Sequence, residues 1–143
     1  MRNLKPILLV EDDSVDAMTV KRAFKDLKVA NLLVHKLNGE EALEYLRGNG
    51  NGNTIGKPCV VLLDLNMPRM NGIEFLKVIK ADDKLRTIPV VVLTTSQEQQ
   101  DKIESFKLSV AGYMLKSVDY KKFVDVIRTI NLYWTLSESP NGE

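Results

Sequence analysis

The sequence predicts an α/β fold built on a doubly wound, five-stranded parallel sheet. Four short apolar runs recur along the 143 residues, and each is nearly continuous rather than alternating. Continuous runs of this kind are typical of parallel strands that helices cover on both faces. Segments with helical spacing separate the runs, and this alternation implies right-handed crossovers. The length suits a single domain, 1–143.

Five strands are predicted. The four apolar runs span 6–10, 58–63, 88–93 and 111–115. A fifth, more mixed run at 31–37 is predicted to be an edge strand, and it carries the only histidine, His35. We expect His35 neither to bind a metal nor to carry a phosphoryl group.

Five helices are predicted between and after the strands. The first begins near Ser14, where either Ser14 or Asp13 can cap it. The second and third cover about 38–48 and 71–82. The fourth covers about 96–108, with Ile103 and Phe106 as its expected core anchors, and the fifth begins near residue 119.

The predicted ordered core covers about 5–132. Residues 48–58 are rich in Gly and Asn, which favours a flexible insertion loop. Residues 133–143 form a C-terminal extension beyond this core.

Composition and charge exclude several kinds of partner. Twenty Lys and Arg residues balance 19 Asp and Glu residues, which gives no sign of a nucleic-acid or membrane partner. The first apolar run is cut short by acids, so it is neither a signal peptide nor a membrane span. The single cysteine, Cys59, permits no internal disulfide, and we expect a reducing, cytoplasmic compartment.

Acidic side chains follow two of the predicted strands. Glu11 and Asp12 come after the first strand, and Asp64 comes after the apolar run 58–63. Ligands bind outside the carboxyl ends of the strands in open α/β sheets, so these acids should converge on one edge. Clustered carboxylates repel unless a cation lies among them, and oxygen ligands suit Mg²⁺. We predict a Mg²⁺ site formed by Asp12, Asp64 and Glu11, the last directly or through water.

Asp64 can act as a nucleophile toward phosphorus and form an aspartyl phosphate. The transferred group needs its oxygens neutralised, for which Mg²⁺, the Lys116 ammonium and the Thr94 hydroxyl are candidates. A haloacid-dehalogenase-type phosphatase also uses a strand-end Asp but needs a second Asp two residues on, where this chain has Asn66. We therefore expect no enzyme activity beyond self-phosphorylation and self-dephosphorylation.

Four motifs, ILLVEDD, VVLLDLNMPRMNG, PVVVLTTS and AGYMLKS, resemble those of the receiver domains of two-component response regulators. The resemblance covers about residues 5–132. Three further stretches, EDDSVDAMTVKRAF, LLDLNMPRMNGIEFL and NLYWTLSESP, are similar to those of stand-alone receivers that serve phytochrome kinases. The resemblance implies a flavodoxin-like (βα)5 fold with strand order 2-1-3-4-5.

The resemblance also implies roles for individual residues. Asp64 would be the phosphoacceptor, and Lys116 would hold a phosphoryl oxygen. Thr94 would be the switch hydroxyl and Tyr113 the switch aromatic. The implied metal ligands are Glu11, Asp12, Asp64 and the backbone carbonyl of Asn66. The positions that would tune hydrolysis are Asn66, Thr95 and Ser96. Thr95 is larger than the usual residue and is expected to prolong the phosphorylated state.

Ser117 departs from the family pattern, in which Pro follows the lysine and the Lys–Pro bond is cis. A cis bond before a non-proline residue costs about 2.5–4 kcal/mol, so this loop is either trans or strained. This departure keeps one alternative open, a pseudo-receiver that serves as an interaction module without phosphorylation.

The implied partners are a separate sensor histidine kinase and an unknown downstream protein. By the resemblance, the kinase would dock on the first helix and on the loop after Lys116. The implied docking residues are Asp16, Met18, Arg22, Ser117 and Val118. A homodimer through the C-terminal helix region is also considered, since Val126 and Tyr133 lie off its core stripe. Their packing on the chain's own tail is the other possibility.

Overall fold

The computed structural model describes residues 5–48, 57–65, 67, 70–94, 97–115 and 119–137, with the backbone alone for Thr94, Leu115 and 130–137. Within these ranges strands and helices alternate, as predicted. The strands are β1 (Ile7–Val10), β2 (Leu33–Lys36), β3 (Val60–Asp64), β4 (Val90–Thr94) and β5 (Gly112–Leu115). The helices are α1 (Ser14–Asp26), α2 (Gly39–Leu46), α3 (Gly72–Lys80), α4 (Gln97–Ser105) and α5 (Tyr120–Ser137).

The strands form one parallel sheet in the order β2-β1-β3-β4-β5, which confirms the predicted flavodoxin-like fold. In the central pair, Val10 of β1 lies opposite Leu63 of β3. Further along the sheet, Asp64 of β3 lies opposite Leu93 of β4. The residues that end or directly follow β1 and β3 therefore lie side by side at the carboxyl edge of the sheet.

Helices cover the sheet on both faces. On one face α2, α3 and α4 pack on strand residues such as Leu8, Val61 and Val92. On the other face α1 and α5 pack on the alternate residues, among them Leu9 and Leu62. Burial on both faces explains why each central strand reads as a continuous apolar run.

Side-chain caps set the starts of α1 and α3. Asp13 is the cap of α1, and its Oδ1 lies 2.8 and 3.0 Å from two backbone nitrogens of the first turn. Asn71 and Glu74 form a capping box at α3, in which each side chain accepts a hydrogen bond from the other's backbone N–H at 2.9 Å. Of the two cap candidates for α1, the carboxylate rather than the Ser14 hydroxyl accepts these bonds.

The fourth helix is shorter than predicted. α4 ends at Ser105, and Lys107 adopts a left-handed backbone with φ of 58°, which turns the chain out of the helix. Ile103 is fully buried, as expected, but Phe106 is 47% exposed, so the expectation that it anchors the helix was wrong. Leu108, beyond the turn, packs on the core instead.

Two predicted segments lie at the limits of the described residues. The insertion predicted at 48–58 lies mostly outside them. α5 continues to Ser137, into the C-terminal extension predicted at 133–143. No helix in the described part of the chain is both long and apolar enough to cross a membrane.

Tyr120, the first residue of α5, joins that helix to α1. Its hydroxyl hydrogen-bonds the Asp26 carboxylate at 2.5 Å. The Arg22 guanidinium lies 4.2 Å from the centre of the Tyr120 ring, within the range of a cation–π contact. The start of α5 is therefore held to α1 by a charged and aromatic contact at the surface.

Gly72 allows the start of α3 to lie directly against the end of β3. A Cβ atom at this position would lie 2.6 Å from the Cα of Leu65 and 2.7 Å from the carbonyl oxygen of Asp64. The Gly72 N–H also donates to the Leu65 carbonyl at 3.1 Å. Any larger residue at 72 must therefore displace the backbone that carries Asp64.

Gly72→Ala is expected to lower the free energy of unfolding by about 1–3 kcal/mol, because backbone atoms must shift to admit the methyl group. The matched control is Gly112→Ala, since a Cβ atom there meets no described heavy atom within 4 Å. The control should leave the free energy of unfolding unchanged or raise it by up to about 1 kcal/mol, because alanine loses less chain entropy on folding than glycine. Urea denaturation of both variants measures this, and equal losses would contradict the close approach at Gly72.

Lys107→Gly is expected to raise the free energy of unfolding by about 0.5–1 kcal/mol. A left-handed backbone costs a non-glycine residue about 1–2 kcal/mol, which the greater chain entropy of unfolded glycine only partly offsets. Lys102→Gly, in the exposed middle of α4, should instead lower the free energy of unfolding by about 1 kcal/mol. Thermal and urea unfolding compare the two, and a loss of stability in Lys107→Gly would count against the left-handed turn.

Candidate functional site

Three carboxylates meet at the carboxyl edge of the two central strands. Glu11 directly follows β1, Asp12 lies in the turn to α1, and Asp64 is the last residue of β3. One carboxylate oxygen from each lies within 4.8 Å of the others. The structure therefore brings together three of the residues that the sequence analysis assigned to a metal site.

Two members of this cluster are buried and one is exposed. Glu11 is 0% exposed and Asp64 is 2% exposed, whereas Asp12 faces solvent. Two negative charges at this separation repel by about 3 kcal/mol at an effective dielectric constant of about 20. A divalent cation relieves this repulsion, and the all-oxygen donor set fits a hard cation of that charge.

Both backbone groups of Glu11, its N–H and its carbonyl, are bound by residues of the edge strand β2. Its N–H donates to the Lys36 carbonyl at 3.0 Å, which continues the ladder beyond the end of β1. Its carbonyl oxygen lies 2.7 Å from Nε2 of His35 and accepts a hydrogen bond from it. His35 was not predicted to take part in the site, because nothing local in the sequence reveals a partner 24 residues away in the chain.

Met67 and Met70, between β3 and α3, contact the rest of the domain. The Gly39 N–H, at the start of α2, donates to the Met70 carbonyl at 3.2 Å. Met67 is buried in the core beneath α2 and α3. These contacts and the close approach of Gly72 hold Met67 and Met70 against the core and α2.

Tyr113, the predicted switch aromatic, lies on β5 opposite Val92 and is half-buried against the core. Burial, and then the carboxylates of Glu104 and Asp101 on α4, raise the pKa of the Tyr113 phenol above its ordinary value. The phenol is therefore protonated and neutral throughout the physiological range. It can donate a hydrogen bond from a position between core and surface.

The remaining predicted site residues are only partly described. Thr94 ends β4 opposite Leu115, and its backbone alone is described. Asn66, Thr95, Ser96 and Lys116 lie outside the described residues. Their contacts with a phosphoryl group stay predictions.

The predicted kinase-docking residues lie partly on the surface of α1. Met18 is 67% exposed, and Val15, one turn earlier, is 69% exposed. Asp16 is half-buried, and Arg22 is exposed with its guanidinium over Tyr120. Ser117 and Val118 lie outside the described residues.

Comparison with known proteins identifies a family. The sequence model of the response regulator receiver domain family matches residues 7–128. The response regulator Rcp1 of Synechocystis sp. is 37% identical over 130 residues, which cover 91% of this chain and 88% of Rcp1. The solved Mn²⁺-bound form of Rcp1 has a TM-score of 0.78 and covers 92% of this chain and 94% of its own.

Two phytochrome-associated regulators have similar structures. The bacteriophytochrome response regulator RtBRR has a TM-score of 0.78 at 42% identity and covers 88% of this chain and 77% of its own. The phosphorylated cyanobacterial phytochrome response regulator RcpA has a TM-score of 0.81 at 36% identity and covers 96% of this chain and 98% of its own. Together with the family match over residues 7–128, these likenesses show that the chain belongs to the response regulator receiver domain family of two-component signalling.

Proposed function

We propose that this receiver domain accepts a phosphoryl group on Asp64 in a Mg²⁺-dependent reaction and signals by a phosphorylation-dependent change of its surface. Receiver domains take this group from sensor histidine kinases, and the likeness to RtBRR and RcpA supports a phytochrome-like kinase as the donor. The observation that carries the proposal is the position of Asp64. It ends a buried strand and lies within 4.8 Å of Glu11 and Asp12.

Asp64 supplies the nucleophile. One of its carboxylate oxygens attacks phosphorus, and an O–P bond forms as the P–N bond of the kinase phosphohistidine breaks. The bonding electron pair leaves with the kinase imidazole, which then takes up a proton. Because Asp64 is only 2% exposed, few directions of approach are open, and this favours an attack in line with the leaving nitrogen.

Glu11, Asp12, Asp64 and the backbone carbonyl of Asn66 would hold the ion. When bound, Mg²⁺ would neutralise negative charge on the phosphoryl oxygens. The Lys116 ammonium and the Thr94 hydroxyl would contact the remaining oxygens. Mg²⁺ is supported by the oxygen donors, which also suit Mn²⁺, and by the Mn²⁺-bound form of Rcp1.

The output of the switch would pass through Thr94 and Tyr113. Tyr113 is half-buried beside α4, so a small movement inward or outward changes the surface that this face presents. Asn66, Thr95 and Ser96 would set how long the phosphoryl group persists. Thr95 in particular would slow the approach of water and prolong the phosphorylated form.

The proposed partners are the kinase, a downstream protein and a second copy of the chain. The exposed Val15 and Met18 on α1 support docking of an apolar kinase surface there. Val126 on α5 is 37% exposed, which supports a homodimer through the C-terminal helix region. The single Cys59 supports a cytoplasmic location, and the even charge gives no support to a nucleic-acid partner.

A pseudo-receiver that binds partners without phosphorylation is the second candidate. Ser117, where the family usually has Pro, is the residue that favours it. Turnover of external phosphate esters is not proposed, since Asn66 cannot serve as the general acid that such enzymes use.

Incubation with Mg²⁺ and acetyl phosphate is expected to add one phosphoryl group to the chain, detected by intact mass. Asp64→Asn should abolish the adduct, since an amide is no nucleophile toward phosphorus. Asp13→Asn is the control, because Asp13 caps α1 rather than joining the cluster. No adduct on the parent protein would favour the pseudo-receiver, and free phosphate released over many turnovers would indicate a phosphatase.

Asp12→Asn is expected to weaken Mg²⁺ binding by at least about tenfold, because it removes one anionic oxygen donor from the cluster. Asp13→Asn removes a charge from the same turn, and Asn caps a helix about as well as Asp, so the affinity should change by less than about threefold. Isothermal titration calorimetry measures both affinities. Equal weakening in the two variants would mean that net charge alone attracts the ion.

A further inference from the structure

We propose that His35 is a positioning residue for the metal-binding turn. Through its hydrogen bond to the Glu11 carbonyl it fixes the Glu11–Asp12 peptide, and thereby the placement of the Asp12 carboxylate. This inference rests on the proposed function, because it needs a cation at the carboxylate cluster.

The contact joins two strands and is short. His35 lies on β2 opposite Leu9 of β1, and its ring reaches the carbonyl of Glu11, two residues further along the chain than Leu9. Nε2 lies 2.7 Å from the Glu11 carbonyl oxygen. A carbonyl oxygen can only accept, so Nε2 is the donor. The ring is half-buried, where competition from water for this bond is reduced.

The bond acts on the peptide unit that carries Asp12. The Glu11 N–H is already held by the Lys36 carbonyl at 3.0 Å, so the bond from His35 fixes the other end of the residue. With both backbone groups of Glu11 bound to β2, rotation of the Glu11–Asp12 peptide plane is opposed.

Asp12 is also limited from its other side. The Asp13 side chain caps α1, and the Asp13 N–H donates to Oε2 of Glu11 at 3.3 Å. Asp12 itself is exposed, and its backbone is held between these two neighbours. His35 therefore acts on Asp12 without touching it.

Orientation matters because Mg²⁺ demands near-ideal octahedral geometry, and Mn²⁺ also takes octahedral sites of oxygen ligands. Mg²⁺ requires octahedral ligands at about 2.0–2.1 Å, so a rotated Asp12 loses affinity although its charge is retained. Residues that orient metal ligands typically change affinity by about 10–100-fold when replaced. If His35 only stabilised the edge strand, replacing it would lower the free energy of unfolding and leave the affinity for the ion unchanged.

The test is isothermal titration calorimetry of MnCl₂ into the full chain and three variants. His35→Leu and His35→Asn should weaken Mn²⁺ binding by about tenfold. Leucine has no hydrogen-bond donor, and the asparagine side chain is too short for its amide nitrogen to reach the position of Nε2. His35→Gln, whose amide nitrogen can reach that place, should remain within about threefold of the parent. Asn and Gln are both polar, so their comparison stands even if the leucine variant does not fold.

Val34→Ala is the matched control for weakening of β2. Val34 lies opposite Leu8 and packs on the core that faces α2, α3 and α4. Its truncation should therefore lower stability without altering the bond from His35 to Glu11. Its Mn²⁺ affinity should equal that of the parent, with folding of each variant checked by circular dichroism.

Equal Mn²⁺ affinity in the parent and the asparagine variant would overturn the role of His35. No Mn²⁺ binding by the parent would refute the proposed metal site itself, and the inference with it.

Discussion

The packing of β1 against β3 is the constraint on which the rest of the structure depends, because it places two buried carboxylates, Glu11 and Asp64, side by side. Two ionised carboxylates at this separation repel by about 3 kcal/mol at an effective dielectric constant of about 20, and the chain could relieve this by moving β1 away from β3. The two strands prevent this, since every residue of both is at most 2% exposed. Burial of each Val, Leu or Ile side chain contributes about 1.5–3 kcal/mol, so the eight apolar residues together far exceed the repulsion. The core therefore holds the like charges in place.

The sheet and the acidic cluster could be predicted from the sequence because both depend on patterns that the chain itself displays. Continuous apolar runs identified the central strands, since burial on both faces leaves no polar alternation. Parallel strands end at a common edge, so acids that follow separate runs could be placed together. The strand order came from the resemblance to receiver domains, because periodicity does not tell which strand lies beside which. The described residues confirm that order.

Other features depend on contacts that no local pattern records. The partner of His35 is a backbone carbonyl on another strand, and every residue has a carbonyl, so nothing in the sequence singles out Glu11. Phe106 was misjudged because helical spacing assumed that α4 continued past the left-handed Lys107. Gly72 lies within a recognised motif, but its close approach to the backbone of Asp64 and Leu65 is a matter of packing.

α1 and α3 pack on opposite faces of the sheet, and this has a consequence for how the acidic cluster affects stability. Helices that diverge in this way leave a crevice between β1 and β3, and the connectivity alone keeps it open. Replacing an acid in the crevice removes repulsion without collapsing the scaffold. Substitutions that remove one of these acids are therefore expected to leave the ion-free chain at least as stable as the parent. The ion that these acids would hold, rather than the stability of the fold, then accounts for their presence at this edge.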